Sequence, residues 1–364
     1  MIALYTSSIS LVKGGIENTS YLLCKGLSGY DSIIAAPLSI TDELKDLNVD
    51  VLDYNIRKKF FKYLFLFKEH LKKGGSIQYS LCLTWKYAVI PYLIKRISGR
   101  PYGVMMHGSD LMPISNTSGL RLIILSRLRN VILKNATQLF ANSLFTLELL
   151  KKDYADFEAE VIHPPIIYDI PFKSEKNKKQ YVLFSIGRIE TRKGFQDCIE
   201  AVKLLKYKYP NLEYRIAGTG PYLEDLKKLV EDNGLESSVR FLGRISEEEK
   251  IIQYCEADIV LMPSRTEISS IEGFGIVFVE ANMCGCPSLG SRSGGISDAI
   301  IDKKTGWIVN EKSPNEIAEI IDDIYSNRKS LDIDDLYSWG MKHSYQNISR
   351  EYIKHIKKAI GKVY

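Results

Sequence analysis

The sequence has little of what marks several large functional classes. No run of about 18 or more apolar residues occurs, so no segment is expected to cross a bilayer as a helix. The opening Met1-Ile2-Ala3-Leu4-Tyr5 has no basic stretch followed by a long apolar one. It reads as a strand, and no secretory signal is expected. The six cysteines are scattered, and the nearest two, Cys284 and Cys286, have one residue between them. That spacing is neither a zinc site nor a redox pair, and buried free thiols in a reducing cytosol are expected. The five histidines are also scattered, so no metal set is visible. Asp332-Ile333-Asp334 opens a polar helix and reads as a cap rather than a ligand pair. There is no G-x-G-x-x-G or Walker sequence, no short-period repeat and no low-complexity tract.

Hydrophobic residues make up 45% of the 364 residues and charged ones 26%, an ordinary globular composition that excludes whole-chain disorder. At about 150 residues per domain the length suits two domains. The net charge of +5 is small but unevenly placed. Arg57 to Lys134 holds 15 Lys/Arg against two acids, Glu69 and Asp110, a net +13, which leaves −8 for the rest. The first half is therefore expected to face something anionic, either nucleic acid or a membrane surface.

Short apolar runs alternate with helical stretches. Ile2–Thr6, Ser32–Ala36, Val51–Asp53, Tyr79–Leu83, Tyr102–Met106 and Gln138–Ala141 read as strands. Glu17–Leu27, Val89–Ile97 and Arg121–Asn135 read as helices between them. After His163-Pro164-Pro165 and a polar linker at Lys173–Lys179 the pattern restarts. Tyr181–Ile186, Tyr214–Ala217, Val239–Leu242, Ile259–Met262 and Pro287–Leu289 carry the second set of strands. Two α/β domains with doubly wound parallel sheets follow, with ligand chemistry at the strand C-terminal ends in the cleft between them. The expected division is 1–168, 169–345 and a C-terminal helix, 346–364, that packs back toward the first domain.

Four stretches could carry chemistry. Gly14 and Gly15 follow the first strand and open a helix, where free N–H groups suit a phosphate or merely a tight turn. Gly187-Arg188 through Lys193-Gly194 is the matching basic loop of the second domain, with Arg188 and Lys193 placed to neutralise a diphosphate. Gly218 and Gly220 end the next strand and read first as a tight helix entry. In Glu272-Gly273-Phe274-Gly275-Ile276-Val277-Phe278-Val279-Glu280, amides around Phe274, Gly275 and Ile276 sit at a helix start, and Glu280 is an acid in an apolar run. His107-Gly108-Ser109-Asp110 ends the fifth strand, which moves His107 from the core to the ligand end of the sheet. Asp110 either orients His107 or caps the next turn.

As an ordered set these stretches resemble retaining glycosyltransferases of the GT-B fold, family four, the group of phosphatidylinositol mannosyltransferases and of many lipopolysaccharide and capsule enzymes. The resemblance runs over the whole chain and is nearest to the mannosyltransferase branch at Ile271–Cys284. It implies two Rossmann-like domains with an interdomain cleft. It also implies roles. Glu280 would hold ribose hydroxyls, Arg188 and Lys193 the diphosphate, and the Phe274–Ile276 amides the phosphate or donor sugar. Glu272 would bind donor-sugar hydroxyls, Gly14 and Gly15 would close on the phosphate, and His107 would line the reaction centre. Arg240–Arg244 would bracket the base. No metal is implied, because cations and a helix N-terminus take the leaving charge, and Glu272 is not read as a nucleophile.

The implied reaction moves a hexose, a mannose-type sugar favoured, from a GDP- or UDP-sugar to a lipid-linked glycan. The basic, aromatic stretch Arg57–Lys73 suits an anionic membrane, with Phe60, Phe61 and Phe65 partly inserted, or else is a core helix with basic ends. The protein is thus expected to be cytoplasmic and peripheral on the inner membrane face. The alternatives are a soluble acceptor, a sugar-nucleotide epimerase on the same fold, or a nucleic-acid-binding protein, for which no module is recognisable.

Overall fold

Strands separated by helix-length segments pair in parallel, because each crossover returns the chain to the same end of the sheet. The computed structural model shows this twice. It describes residues 1–6, 9, 15–31, 33–37, 49–51, 59–73, 76–112, 118–167, 180–267, 270–326 and 329–361. These form two compact units, Met1–Pro165 with Ser344–Tyr364, and Ile166–His343. The expected linker at Lys173–Lys179 lies outside the described residues.

The first unit runs β1 (Ile2–Thr6), α1 (Gly15–Leu27), β2 (Ile33–Pro37), β3 (Val49–Val51), α2 (Lys59–Lys72), β4 (Tyr79–Cys82), α3 (Val89–Ser98) and β5 (Tyr102–Met106). It continues with α4 (Gly119–Asn135), β6 (Gln138–Ala141), α5 (Leu144–Asp153) and β7 (Glu160–Val161). Its sheet has the order β3-β2-β1-β4-β5-β6-β7 and every pairing is parallel. Ile2 pairs with Ile33 on one side and with Tyr79 on the other. The winding direction therefore reverses between β1 and β4. Strands β1, β4 and β5 are buried along their whole length, as parallel strands covered on both faces must be.

The second unit runs β8 (Tyr181–Ile186), α6 (Phe195–Leu205), β9 (Leu212–Ala217), α7 (Leu223–Asp232), β10 (Val239–Gly243), α8 (Glu247–Glu256) and β11 (Ile259–Met262). It closes with α9 (Ile276–Met283), β12 (Ser288–Ser291), α10 (Ile296–Ala299), β13 (Gly306–Val309), α11 (Pro314–Tyr325) and α12 (Ile333–Lys342). The sheet order is β10-β9-β8-β11-β12-β13, again all parallel, with the reversal between β8 and β11. Local chemistry sets several ends. Ser246 and Glu249 form a reciprocal capping box on α8, and Pro314 starts α11. Asp332 caps α12 by accepting from Asp334 N at 2.9 Å, the capping role read from the sequence. All six cysteines are free and buried.

The last helix, α13 (Tyr345–Ala359), belongs to the first unit. It buries Ile348, Tyr352, Ile353 and Ile356 in the core that holds β1 and β4. A Cβ on Gly26 of α1 would stand 2.0 Å from Ser349 Oγ and 2.8 Å from the Tyr345 carbonyl oxygen. The two helices thus approach as closely as a glycine allows. The edge strands β7 and β13 had no counterpart in the sequence reading: they are two and four residues long, too short for a periodicity to register.

Candidate functional site

In a doubly wound sheet the loops leaving the two strands at the reversal diverge and open a crevice at the strand C-terminal ends. In the second unit those are the loops after β8 and β11. Glycines fix the first of them. Gly218 has φ +130°, and a Cβ there would lie 1.9 Å from the Gly187 carbonyl oxygen. Gly194, at φ +76°, has the same relation to the Pro263 carbonyl oxygen, 2.1 Å away. The loop from Gly187 to Gly194 is thereby clamped against the chain leaving β11. Arg265 N donates to the Arg192 carbonyl at 2.6 Å, and the Arg265 guanidinium forks onto Asp197 at 2.9 and 2.6 Å.

This clamp presents two cations to one acid. Lys193 Nζ and Arg192 Nη1 both donate to Glu272 Oε2, at 2.5 and 3.2 Å. All three side chains are less than one-fifth exposed. Burial alone would push the Glu272 carboxyl up, but Lys193 and Arg192 outweigh it and hold it down at about 2. Sequence reasoning paired Lys193 with Arg188. The structure instead leaves the Arg188 side chain 72% exposed, bound through Nε to Glu190 at 3.1 Å. Arg192, which the sequence reading passed over, takes the inner place and also meets Glu190 through Nε at 3.2 Å. The short 3₁₀ turn at Thr191–Lys193 aims neighbouring side chains apart, and no helical or strand period foretells which one points in. A cavity of about 320 Å³ adjoins the turn, lined by Glu190, Thr191, Arg192, Tyr222, Glu267 and Ser270 among others.

Gly275, at φ +96°, caps α9, whose first-turn amides lack partners within the helix. Phe274 is buried, with its ring 5.5 Å from that of His343, so only its backbone could meet a ligand. Ile276 is half-buried against the core. Glu280, one turn along, is buried, and both its oxygens already have partners. Oε1 accepts from Lys250 Nζ at 3.0 Å and Oε2 from the Tyr254 hydroxyl at 2.9 Å. Lys250 also meets Glu247 at 2.7 Å. Burial works against the Lys250 charge, but Glu280 and Glu247 prevail and raise its pKa. Lys250 and Tyr254, four apart on α8, were missed. A lysine and a tyrosine on the buried stripe of a helix are the signal that could have found them. Arg240 is exposed, and Arg244 Nε donates to Thr219 Oγ1 at 3.4 Å.

In the first unit, His107 stands just past β5. Its Nε2 meets the Leu83 carbonyl at 2.8 Å. A carbonyl only accepts, so Nε2 donates and the neutral ring keeps Nδ1 as an acceptor. Burial lowers the His107 pKa against the opposing pull of Asp110, the Leu83 carbonyl and Glu17. Asp110 Oδ2 accepts from the His107 amide at 3.3 Å, and burial raises its pKa against His107, Lys86 and Arg129. Gly14 lies outside the described residues. Gly15 opens α1 with open space where a Cβ would stand.

The basic stretch needs a correction. Arg57, Lys58 and the Phe60 and Phe61 side chains lie outside the described part. Phe65 is partly buried against the core beside the buried Leu66. Lys72 pairs with Glu69 at 2.6 Å and Lys73 with Asp50 at 3.4 Å. Among the described residues of this half, α4 exposes Leu120, Ile123 and Ile124 beside exposed Arg121 and Arg127, and α3 exposes Leu93 and Ile97. No helix among the described residues is long and apolar enough to cross a membrane.

Residues 167–333 match the family model of Glycosyl transferases group 1. The chain is 34% identical over 148 residues to a GDP-mannose-dependent alpha-(1-6)-phosphatidylinositol monomannoside mannosyltransferase of Mycolicibacterium smegmatis, covering 40% of this chain and 39% of that one. It is 30% identical over 212 residues to a D-inositol 3-phosphate glycosyltransferase of Arthrobacter sp., covering 54% and 49%. The matches thus span about two-fifths to one-half of these relatives' length. A crystal structure of Anabaena HepE in complex with UDP superposes over 98% of this chain and 100% of that one, with a TM-score of 0.79 at 19% identity. The chain therefore has the two-sheet GT-B architecture, and its residues 167–333 match the glycosyltransferase group 1 model.

Proposed function

We propose that this protein is a retaining glycosyltransferase that moves a hexose, of mannose type, from a nucleoside-diphosphate sugar to a lipid-linked glycan. The observation that carries the reading is the largely buried Glu272–Lys193–Arg192 cluster at the β8/β11 reversal of a group 1 domain. Breaking the bond from C1 to the diphosphate leaves negative charge on the departing oxygens, and preorganised cations stabilise charge that develops in the transition state. Lys193 and Arg192 supply them, and the α9 amides add partial positive charge. The acceptor oxygen then bonds to C1 on the face the diphosphate leaves, and its proton passes to a departing phosphate oxygen. On this account no metal ion is required. Glu280 has lone pairs left for ribose hydroxyls, and Glu272 has Oε1 for a donor hydroxyl. In the first unit, His107 Nδ1 can accept from a hydroxyl.

The choice of mannose and of a lipid-linked acceptor is supported by the mannosyltransferase among the relatives. A peripheral place on the inner face of the cytoplasmic membrane is supported by the +13 segment and by the apolar, basic face of α4. The test is release of free nucleoside diphosphate from GDP-mannose and UDP-glucose, with and without a lipid-linked glycan and with EDTA present, and NMR of the new anomeric centre. Metal-free release with retained configuration is expected. No release from either donor, or an inverted product, would refute the reading.

A further inference from the structure

The cavity of about 320 Å³ beside the Thr191–Lys193 turn takes no part in the transfer chemistry proposed above. All seven residues that line it belong to the second unit. Pro221 and Tyr222, at the start of α7, give it an apolar wall. Glu190 and Glu267 against Arg192 give the lining two acids to one cation, a net −1. We propose that this cavity is a subsite for a neutral sugar ring, one unit of a glycan acceptor held beside the nucleotide-sugar and apart from it. The inference rests on the glycosyltransferase reading above and adds to it a second carbohydrate site, built wholly on the second unit.

Three segments build the walls, and backbone bonds fix each of them. The entrance to α7 rests on the loop after β8. Ile189 N donates to the Thr219 carbonyl at 3.0 Å and Tyr222 N to the Ile189 carbonyl at 3.2 Å. A Cβ on Gly220 would stand 2.1 Å from the same Ile189 oxygen. After β11, Glu267 and Ser270 pair with each other through reciprocal backbone bonds of 3.2 and 3.4 Å. Thr191 Oγ1 joins that pair to the 3₁₀ turn by donating to Glu267 Oε1 at 3.0 Å. The cavity is thus preformed, and a ligand entering it has little chain left to order. Its chemistry selects the ligand. A pyranose ring carries C–H groups on its faces and hydroxyls around its edge. The Pro221 and Tyr222 rings offer an apolar partner to a C–H face. Among the described residues, the Tyr222 and Ser270 hydroxyls and Glu267 Oε2 have no protein partner, so they can donate to and accept from the hydroxyl edge. A phosphate is disfavoured, because a lining with net negative charge repels it. Arg192 lines the cavity and also donates to Glu272 at 3.2 Å. One side chain therefore separates the subsite from the cluster that meets the donor, which suits a neighbouring unit of a glycan whose end reacts there.

Saturation-transfer NMR of the full chain with millimolar methyl α-mannoside, methyl α-glucoside and methyl β-galactoside tests the subsite, each with and without saturating GDP or UDP. At least one glycoside is expected to bind, and to stay bound when nucleotide is added, because the two sites are separate. Tyr222→Ala should weaken that binding about fivefold, the loss of one ring face, and Tyr222→Phe should keep most of it. Glu267 is exposed, so Glu267→Gln leaves the fold intact, and it should weaken binding by a smaller factor. Calorimetry should give every variant the nucleotide affinity of the unaltered chain, which also shows that Tyr222→Ala is folded. No glycoside signal, loss of the signal when nucleotide is added, or equal binding by the unaltered chain, Tyr222→Ala and Glu267→Gln overturns the subsite and leaves the transferase reading standing. Failure of the unaltered chain to bind either nucleotide overturns that reading and, with it, the acceptor role of the subsite.

Discussion

The first unit buries a histidine on α2 and the second holds a largely buried carboxylate after β11, and burial pushes each toward its neutral form. His70 yields. It is 1% exposed and shares a 2.6 Å hydrogen bond with the Tyr5 hydroxyl, and burial, helped by Arg100, lowers it to about 4. Glu272 does not yield, because Lys193 and Arg192 more than offset the burial. Depth alone therefore does not decide whether a buried group keeps its charge; the sign of its neighbours does. A neutral buried histidine serves packing, whereas a charge kept at the mouth of a crevice is available to a ligand.

The sharpest way to break this comparison is to remove Glu280, a buried acid of the second unit. Glu280→Ala strands Lys250 with Glu247 alone and leaves the Tyr254 hydroxyl without its acceptor. Breaking a buried pair from one side costs about 3–5 kcal/mol, so denaturant unfolding should show a loss of that order. A loss below about 1 kcal/mol would mean that the pair is not held as buried as it stands here. The next largest effect concerns catalysis. Lys193→Ala should lower the transfer rate about a hundredfold, roughly 3 kcal/mol in the barrier, with less effect on donor affinity. A change confined to affinity would demote Lys193 from the reacting centre.

Acid separates the two units. The folded-state pKa of His70 lies below its unfolded value of about 6.5, so the unfolded chain binds the proton first. Stability is full above pH 6.5 and falls as the pH drops toward 4. At pH 5 the loss attributable to His70 is about 2 kcal/mol. Glu272, depressed to about 2, contributes stability that is full above about 4.5 and is lost only as the pH falls through 2. Denaturant melts at pH 7, 6 and 5 should therefore weaken the first unit before the second. His70→Gln should flatten that window, and an unchanged pH profile in this variant would contradict the assignment.

The smallest effect expected is at the surface of the first unit. Each lysine near an anionic membrane contributes about 1 kcal/mol at most, and salt screens it. Replacing three of Lys58, Lys59, Lys62, Lys72 and Lys73 by Gln should reduce co-sedimentation with anionic vesicles in low salt. Ile123→Ser with Ile124→Ser on α4 should reduce it in high salt as well, because apolar insertion is not screened. Equal sedimentation of all variants would show a merely solvated face.

The sequence by itself determined the two doubly wound sheets, since apolar runs at helix-length spacing admit little else, and the parallel pairing follows from the crossovers. It also determined which loops leave the C-terminal ends of the strands, and with them the candidates Gly187, Lys193, Gly218, Glu272 and His107. Only the tertiary structure decided which side chains in those loops face inward. Arg192, rather than Arg188, meets Glu272, with Gly194 abutting Pro263 and Arg265 holding the Arg192 carbonyl. Glu280 is occupied because Lys250 and Tyr254 reach it from α8, and Phe65 faces the core because of the surface on which α2 lands. The physical reason is common to all three. Periodicity fixes direction only within a regular element. In an irregular turn, or across a helix interface, direction is set by contacts between residues far apart in the chain.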